Sequence, residues 1–147
     1  MSGFTARNPD FESVVRGSFA KQGLMTHFGS SMTRCEPGFV EIEVPYAAHL
    51  TQQQGFFHGG VTTSIVDTAC GYAALTLMPA GSEVLTVEFK INLFAPAKGD
   101  TLIARGRIIR SGRTITVCHG DAYAVQSGAE THCATMTTTM IRVDLLA

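Results

Sequence analysis

Little in this sequence invites a charged macromolecular partner. Eleven Lys and Arg stand against twelve Asp and Glu, and the formal net charge is −1. No basic field is available for nucleic acid or for an anionic membrane surface, although a few local cations could hold a small anion. Long apolar runs are also missing. The most lipid-like stretch, Val61 to Met78, carries Asp67 with several Thr and Ser residues and is too polar to span a bilayer. The opening residues, Met1 to Asn8, lack the basic and then apolar pattern of an export signal. We therefore expect a soluble, cytoplasmic protein that binds neither nucleic acid nor membrane.

Repeats, low-complexity tracts and Pro-rich linkers are absent as well. The four cysteines, Cys35, Cys70, Cys118 and Cys133, form no C-x-x-C pair, so free buried thiols are expected. Cys118-His119 and His132-Cys133 suggest a metal site. A two-residue turn at Ser127-Gly128 would, however, set His119 opposite Met136, four positions from His132. That is roughly 13 Å at the rise of a strand, too far for a shared ion or for a disulfide between the cysteines. No metal is expected. No G-x-S-x-G elbow is present, which argues against a serine hydrolase of that kind. Cys70 lies on an apolar helix face without a nearby base, so an inert core thiol is expected there.

What is present suits one domain. The chain has 147 residues, 45% apolar and 16% charged, enough to bury a core without staples. We expect a single domain over residues 1–147, with an N-terminal helical segment over 1–23 and a central helix over 59–78. Asn8-Pro9-Asp10 offers a helix start, Phe11, Val14, Val15 and Phe19 recur at helical spacing, and Gly23 offers a stop. A strand is expected from Thr26 to Cys35, and Phe39 to Val44 alternates as a half-buried strand does. From His58 to Leu77 small residues dominate, which lets other backbone approach a helix buried nearly all round. Four further strands follow: Val84 to Leu93, with Val87, Phe89, Ile91 and Leu93 on one face; Thr101 to Arg110; Thr114 to Val125; and Glu130 to Arg142. The fold class is α+β, an antiparallel sheet of five or six strands around one long helix.

The chemistry concentrates in His58-Gly59-Gly60-Val61-Thr62-Thr63-Ser64-Ile65-Val66-Asp67. Two glycines opening a helix leave amide N–H groups aimed at a negative or developing negative charge, such as the oxyanion of a thioester carbonyl. Asp67 then sits mid-helix among apolar residues, where a carboxylate is costly without partners or a task. The plainer alternatives are a hydrogen-bonded scaffold carboxylate and glycines kept for close packing. Gly59 and Asp67 are eight residues apart, about 12 Å along the axis. If both serve one reaction centre, Gly59 of one subunit must face Asp67 of another across a two-fold axis.

The His-Gly-Gly to Asp segment resembles the signature of PaaI-like hotdog thioesterases, the phenylacetate-pathway type. The resemblance extends to Thr86 through Ala97 and to Arg110-Ser111-Gly112-Arg113-Thr114, and covers roughly residues 24 to 142. It implies a hotdog fold and hydrolysis of an acyl-CoA to free acid and coenzyme A, without metal or organic cofactor. It implies homodimers with shared sites, further paired into tetramers. It implies that Asp67 is nucleophile or general base, that the Gly59 N–H polarises the carbonyl, and that His58 orients the site. Gln52 takes the place of an Asn in many relatives, with Gln53 or Gln54 as substitutes, and Thr86 matches a hydroxyl that positions water. Gly60, Val61, Arg110, Ser111, Gly112 and Arg113 are the implied substrate contacts, with Lys98 a weaker candidate for phosphate. Val61, Ile65 and Cys70 are expected to line the acyl pocket. Two other classes compete: a hotdog acyl-thioester hydratase or dehydratase, and a non-catalytic acyl-CoA-binding protein.

Overall fold

The structure, a computed structural model, describes residues 3–144. Two short helices open it, α1 (Phe11–Phe19) and α2 (Gly23–His27). Strands β1 (Ser31–Glu36) and β2 (Phe39–Pro45) follow, and then the long helix α3 (Gly59–Leu75). Four strands complete it: β3 (Ser82–Leu93), β4 (Thr101–Ser111), β5 (Ile115–Gln126) and β6 (Ala129–Asp144). The six strands form one sheet in the order β1-β2-β4-β5-β6-β3, and every neighbouring pair is antiparallel. This is the expected α+β arrangement with six strands.

The N-terminal segment differs from expectation. Asn8 does act at the start, its Oδ1 accepting from the Asp10 amide at 3.0 Å. The first helix ends at Phe19, and Gly23 opens α2 instead of stopping α1. The strand expected from Thr26 begins only at Ser31, because Gly29 turns the chain in the left-handed region at φ 65°. Helix α3 also stops short of residue 78. The Thr76 hydroxyl donates to the Ala73 carbonyl at 2.6 Å and accepts from the Gly38 amide at 2.8 Å. Leu77 and Met78 then bond three residues back, the tightened last turn of a helix.

Helix α3 lies against one face of the sheet, touching β2 to β6, with ten of its residues buried. Glycines permit the approach. A Cβ on Gly106 would stand 2.4 Å from the Ala69 carbonyl carbon, and one on Gly120 2.5 Å from a Val66 methyl. Backbone against backbone cannot yield as a flexible side chain can. Gly106→Ala is therefore expected to cost about 1–3 kcal/mol or more, read as a lowered melting temperature. Gly17→Ala makes the contrast. It lies in α1 with nothing within 4 Å of the added carbon, and it should be neutral or raise stability by up to about 1 kcal/mol. Equal melting temperatures for Gly106→Ala and the parent would refute this account of the packing.

The last hairpin turns at Ser127-Gly128 as expected, with Gln126 paired to Ala129. A bulge between Ala122 and Tyr123 then shifts the register. His119 pairs with Thr137 instead of Met136. A second bulge, between Thr86 and Glu88 in β3, takes Val87 off the face that Phe89, Ile91 and Leu93 share. Those three pair with Thr138, Met136 and Ala134, buried residues beneath the helix.

Candidate functional site

Asp67 projects from the middle of α3 towards β3. There Thr86 Oγ1 donates to Asp67 Oδ1 at 2.9 Å and lies 3.4 Å from Met140 Sδ. Burial pushes the Asp67 carboxyl above its ordinary value, and the Thr86 hydrogen bond pulls in the opposite direction. The carboxylate opens on a cavity of about 140 Å³ whose walls include Ser18, Gln22, Tyr72, Glu83, Thr86 and Met140. Tyr72 ties this wall to the N-terminal segment: its hydroxyl lies 3.1 Å from Ser18 Oγ and accepts from Gln22 Nε2 at 3.0 Å. Nothing in the periodicity of the first helix signals that Ser18 and Gln22 face the carboxylate, because the contact joins residues about fifty positions apart.

Gly59 stands at the other end of the chemistry. The cap of α3 is His58, whose Nδ1 accepts from the Gly60 amide at 2.8 Å, which places the ring proton on Nε2. The Val61 and Thr62 amides both reach the His58 carbonyl. Among the described residues the Gly59 N–H alone in this first turn is left without an acceptor. It faces a larger cavity of about 370 Å³, lined by Gln52, Gln54, Phe56, Thr62, Phe94 and Pro96 among others. A free amide at the positive end of a 17-residue helix, beside a cavity, is an oxyanion donor in form.

The structure thus brings Asp67 with Thr86 into one cavity, and Gly59 with Gln52 and Gln54 into another. It does not bring the two groups together within one chain. Gln53 lines neither cavity. The Gly60 amide is spent on His58, and Val61 packs in the core. Ile65 and Cys70, expected in an acyl pocket, are sealed at 0% exposure and border no cavity. The small helix residues that suggested a pocket instead seat the sheet glycines. Burial also pushes the Cys70 thiol up, so it has little nucleophilic character.

The turn Arg110-Ser111-Gly112-Arg113 joins β4 to β5 and shares an end of the sheet with Asp67. Thr116 pairs with Met140, which pairs with Thr86. Among the described residues neither arginine pairs with a carboxylate. Lys98 lies by Tyr46, Gly55 and Asp100, apart from that turn.

The face of the sheet turned away from α3 carries a carboxylate between the two histidines. His119 and His132 do share a partner. Both rings bring Nε2 to Asp121 Oδ1, at 3.1 and 2.9 Å. Arg107 Nη1 binds Asp121 Oδ2 at 2.8 Å. Burial would raise the Asp121 carboxyl, but Arg107, Thr135 and His119 hold it down to about 2. The strand positions stay four apart, with His132 paired to Tyr123, and both rings reach the Asp121 carboxylate that lies between them. Among the described residues no group of three or more His, Cys, Asp or Glu is placed to hold a metal ion. The four cysteines are free and buried; Cys118 Sγ lies 3.5 Å from the Cys70 carbonyl and Cys133 Sγ 3.4 Å from that of Ala122. No helix among these residues is long and apolar enough to cross a membrane.

Comparison with known proteins agrees with this fold. The family model described as "Thioesterase superfamily" matches residues 54–131. A protein described as a putative esterase from Halobacterium salinarum is 30% identical over 122 residues, 80% of this chain and 79% of its own. The crystal structure of a thioesterase family protein from Silicibacter pomeroyi superposes with a TM-score of 0.90 at 43% identity, covering 91% of this chain and 98% of that one. The E. coli PaaI protein from the phenylacetic acid degradation operon shares the fold, with a TM-score of 0.80 at 19% identity over 91% of this chain and 94% of its own.

Proposed function

Because this chain belongs to the thioesterase superfamily, with the PaaI-like hotdog fold, and so hydrolyses acyl thioesters, we propose that its substrate is an acyl-CoA, released as free acid and coenzyme A. The observation that carries the mechanism is the pairing of a free Gly59 amide with a half-buried Asp67 carboxylate on one helix, in two separate cavities. A two-fold partner brings one to the other. The thioester oxygen then accepts from the Gly59 N–H of one subunit while Asp67 of the partner subunit works on the carbonyl carbon. Asp67 attacks that carbon, or it takes the proton of the water that does. If Asp67 attacks, water then hydrolyses the mixed anhydride, freeing the acid and restoring the carboxylate; if water attacks, the acid forms directly. In both, a C–O bond replaces the C–S bond and the coenzyme A sulfur takes up a proton that the water supplies. Both routes need the ionised carboxylate. Thr86 holds Asp67 towards the substrate, and Arg110 and Arg113 meet the phosphates of coenzyme A. Gln52 positions substrate beside Gly59. The chemistry calls for no metal or organic cofactor, since a thioester is already activated.

The edge of the sheet supports the partner. Among the described residues strand β3 pairs only with β6, and Leu85, Val87, Phe89 and Leu93 are exposed along it. A long apolar edge left open is an aggregation hazard that a second copy would cover. We assign the active species as such a dimer, further paired into a cytoplasmic tetramer. A hydratase needs a His–carboxylate pair. Here His58 Nδ1 already accepts from the Gly60 amide at the helix start, so the ring has no free nitrogen lone pair with which to take a proton from substrate.

The test is thiol release from phenylacetyl-, short-chain and medium-chain acyl-CoAs, followed across pH. Since Asp67 is raised and must be ionised, kcat/KM should fall as pH drops through a value above the ordinary carboxylate one of 3.8. Thr86→Val removes the influence that lowers this value, so its acid limb should move to higher pH. A limb that stays in place would remove Thr86 from the account, and no thiol release from any acyl-CoA would refute the substrate class.

A further inference from the structure

Three consecutive hydroxyls open α3. Those of Thr63 and Ser64 return to the carbonyls of Gly59 and Gly60 at 2.8 and 2.7 Å, the ordinary way for a helix to absorb such groups. The hydroxyl of Thr62 does not. Thr62 is 1% exposed, and its Oγ1 is buried without a hydrogen-bond partner, alone in this among the described residues. An unsatisfied buried hydroxyl is destabilising, so its presence calls for an explanation. Thr62 lines the same cavity as Gly59, among Phe56, Phe57, Leu93, Phe94 and Pro96. It lies three residues on from Gly59, on the same helix face and about 4.5 Å deeper along the axis.

We propose that Thr62 is a specificity residue that hydrogen-bonds an oxygen on the acyl group, close to the thioester. The inference rests on the reading of Gly59 as the carbonyl donor. With the carbonyl oxygen on that amide, the bulky and charged coenzyme A must leave towards solvent and the acyl group enters the apolar cavity. Beyond Gln52 and Gln54, which the loop before α3 supplies, the polar side chain it meets on the helix is Thr62, whose hydroxyl turns out of its buried position to reach it. An oxygen on the carbon two beyond the thioester carbon falls at that remove, so a 3-hydroxyacyl group satisfies Thr62 where a plain aliphatic one leaves it bare. A site that carries an unpaired polar group discriminates against the ligand that cannot pair it.

The test compares 3-hydroxybutyryl-CoA with butyryl-CoA by titration calorimetry on the Asp67→Asn oligomer, which leaves both ligands uncleaved. The hydroxylated ligand should bind about tenfold more tightly, the worth of one net hydrogen bond. Adding Thr62→Val should abolish that preference while changing butyryl-CoA affinity little, and Thr62→Ser should keep it. Equal affinities on Asp67→Asn alone would overturn the proposal, whether or not Thr62→Val folds. So would a preference that survives Thr62→Val, or an equal loss for both ligands. Hydrolysis of the same pair by the parent protein reads the proposed function separately: turnover without preference refutes only Thr62, and preferential binding without turnover refutes only the reaction.

Discussion

Asp67→Asn should fold, assemble and lose catalysis by at least about a thousandfold. The amide keeps the size of the carboxyl and its oxygen can still accept from Thr86, which now donates at 2.9 Å. What it loses is the negative charge, and with it both routes to the carbonyl carbon. Positioned proton transfer alone is worth about 10²–10⁴ in rate, and loss of a nucleophile is worth more. Stability should not fall. Burial raises the Asp67 carboxyl, so the folded state binds its proton more readily than the unfolded chain does. The ionised form is therefore a net liability to folding once pH rises through that raised value, and a neutral amide avoids it. Melting temperature at neutral pH should stay level or rise. Activity within tenfold of the parent would show that Asp67 is scaffold.

Gly59→Pro should give the second large loss, about 10²–10³ in kcat. Proline removes the one N–H that lacks an acceptor in the first turn and no other hydrogen bond. The position tolerates it. Gly59 is the first helical residue, where proline is favoured, and His58 before it is extended at φ −64° and ψ 139°, as a residue preceding proline should be. An added Cβ would meet Leu93 at 3.4 Å, an ordinary contact. The variant thus deletes the proposed oxyanion donor with little else disturbed. A fall in KM-dependent binding with kcat preserved would move Gly59 from catalysis to substrate holding.

The parts of the site carried by one continuous segment were legible in the sequence. His58 caps the helix that carries the glycines and Asp67, and eight residues of helix already separate Gly59 from Asp67. The parts built by long-range pairing were not. Ser18, Gln22 and Tyr72 meet across about fifty residues, and helical periodicity describes only the face of each helix. Bulges defeated register arguments: one at Ala122 altered the neighbours of His119, and one at Val87 divided an apolar face that alternation joins. The small residues of α3 announced close approach, but not by what. Gly106 and Gly120 fill that role, against Val66, Ala69 and Cys70. The Thr62 hydroxyl could not stand out among three adjacent hydroxyl residues, since only the structure shows which two are satisfied.

The central claim is that each site joins Gly59 of one subunit to Asp67 of another. Co-expression of Gly59→Pro and Asp67→Asn chains tests it most directly. In a hybrid dimer one site receives Asp67 from the first chain and Gly59 from the second, and is intact, while the other site carries both lesions. Random pairing makes half of the dimers hybrid with one good site in two, so thiol release should recover to roughly a quarter of the parent rate. A mixture no more active than its two components, with hybrid dimers verified by mass, would contradict the shared site.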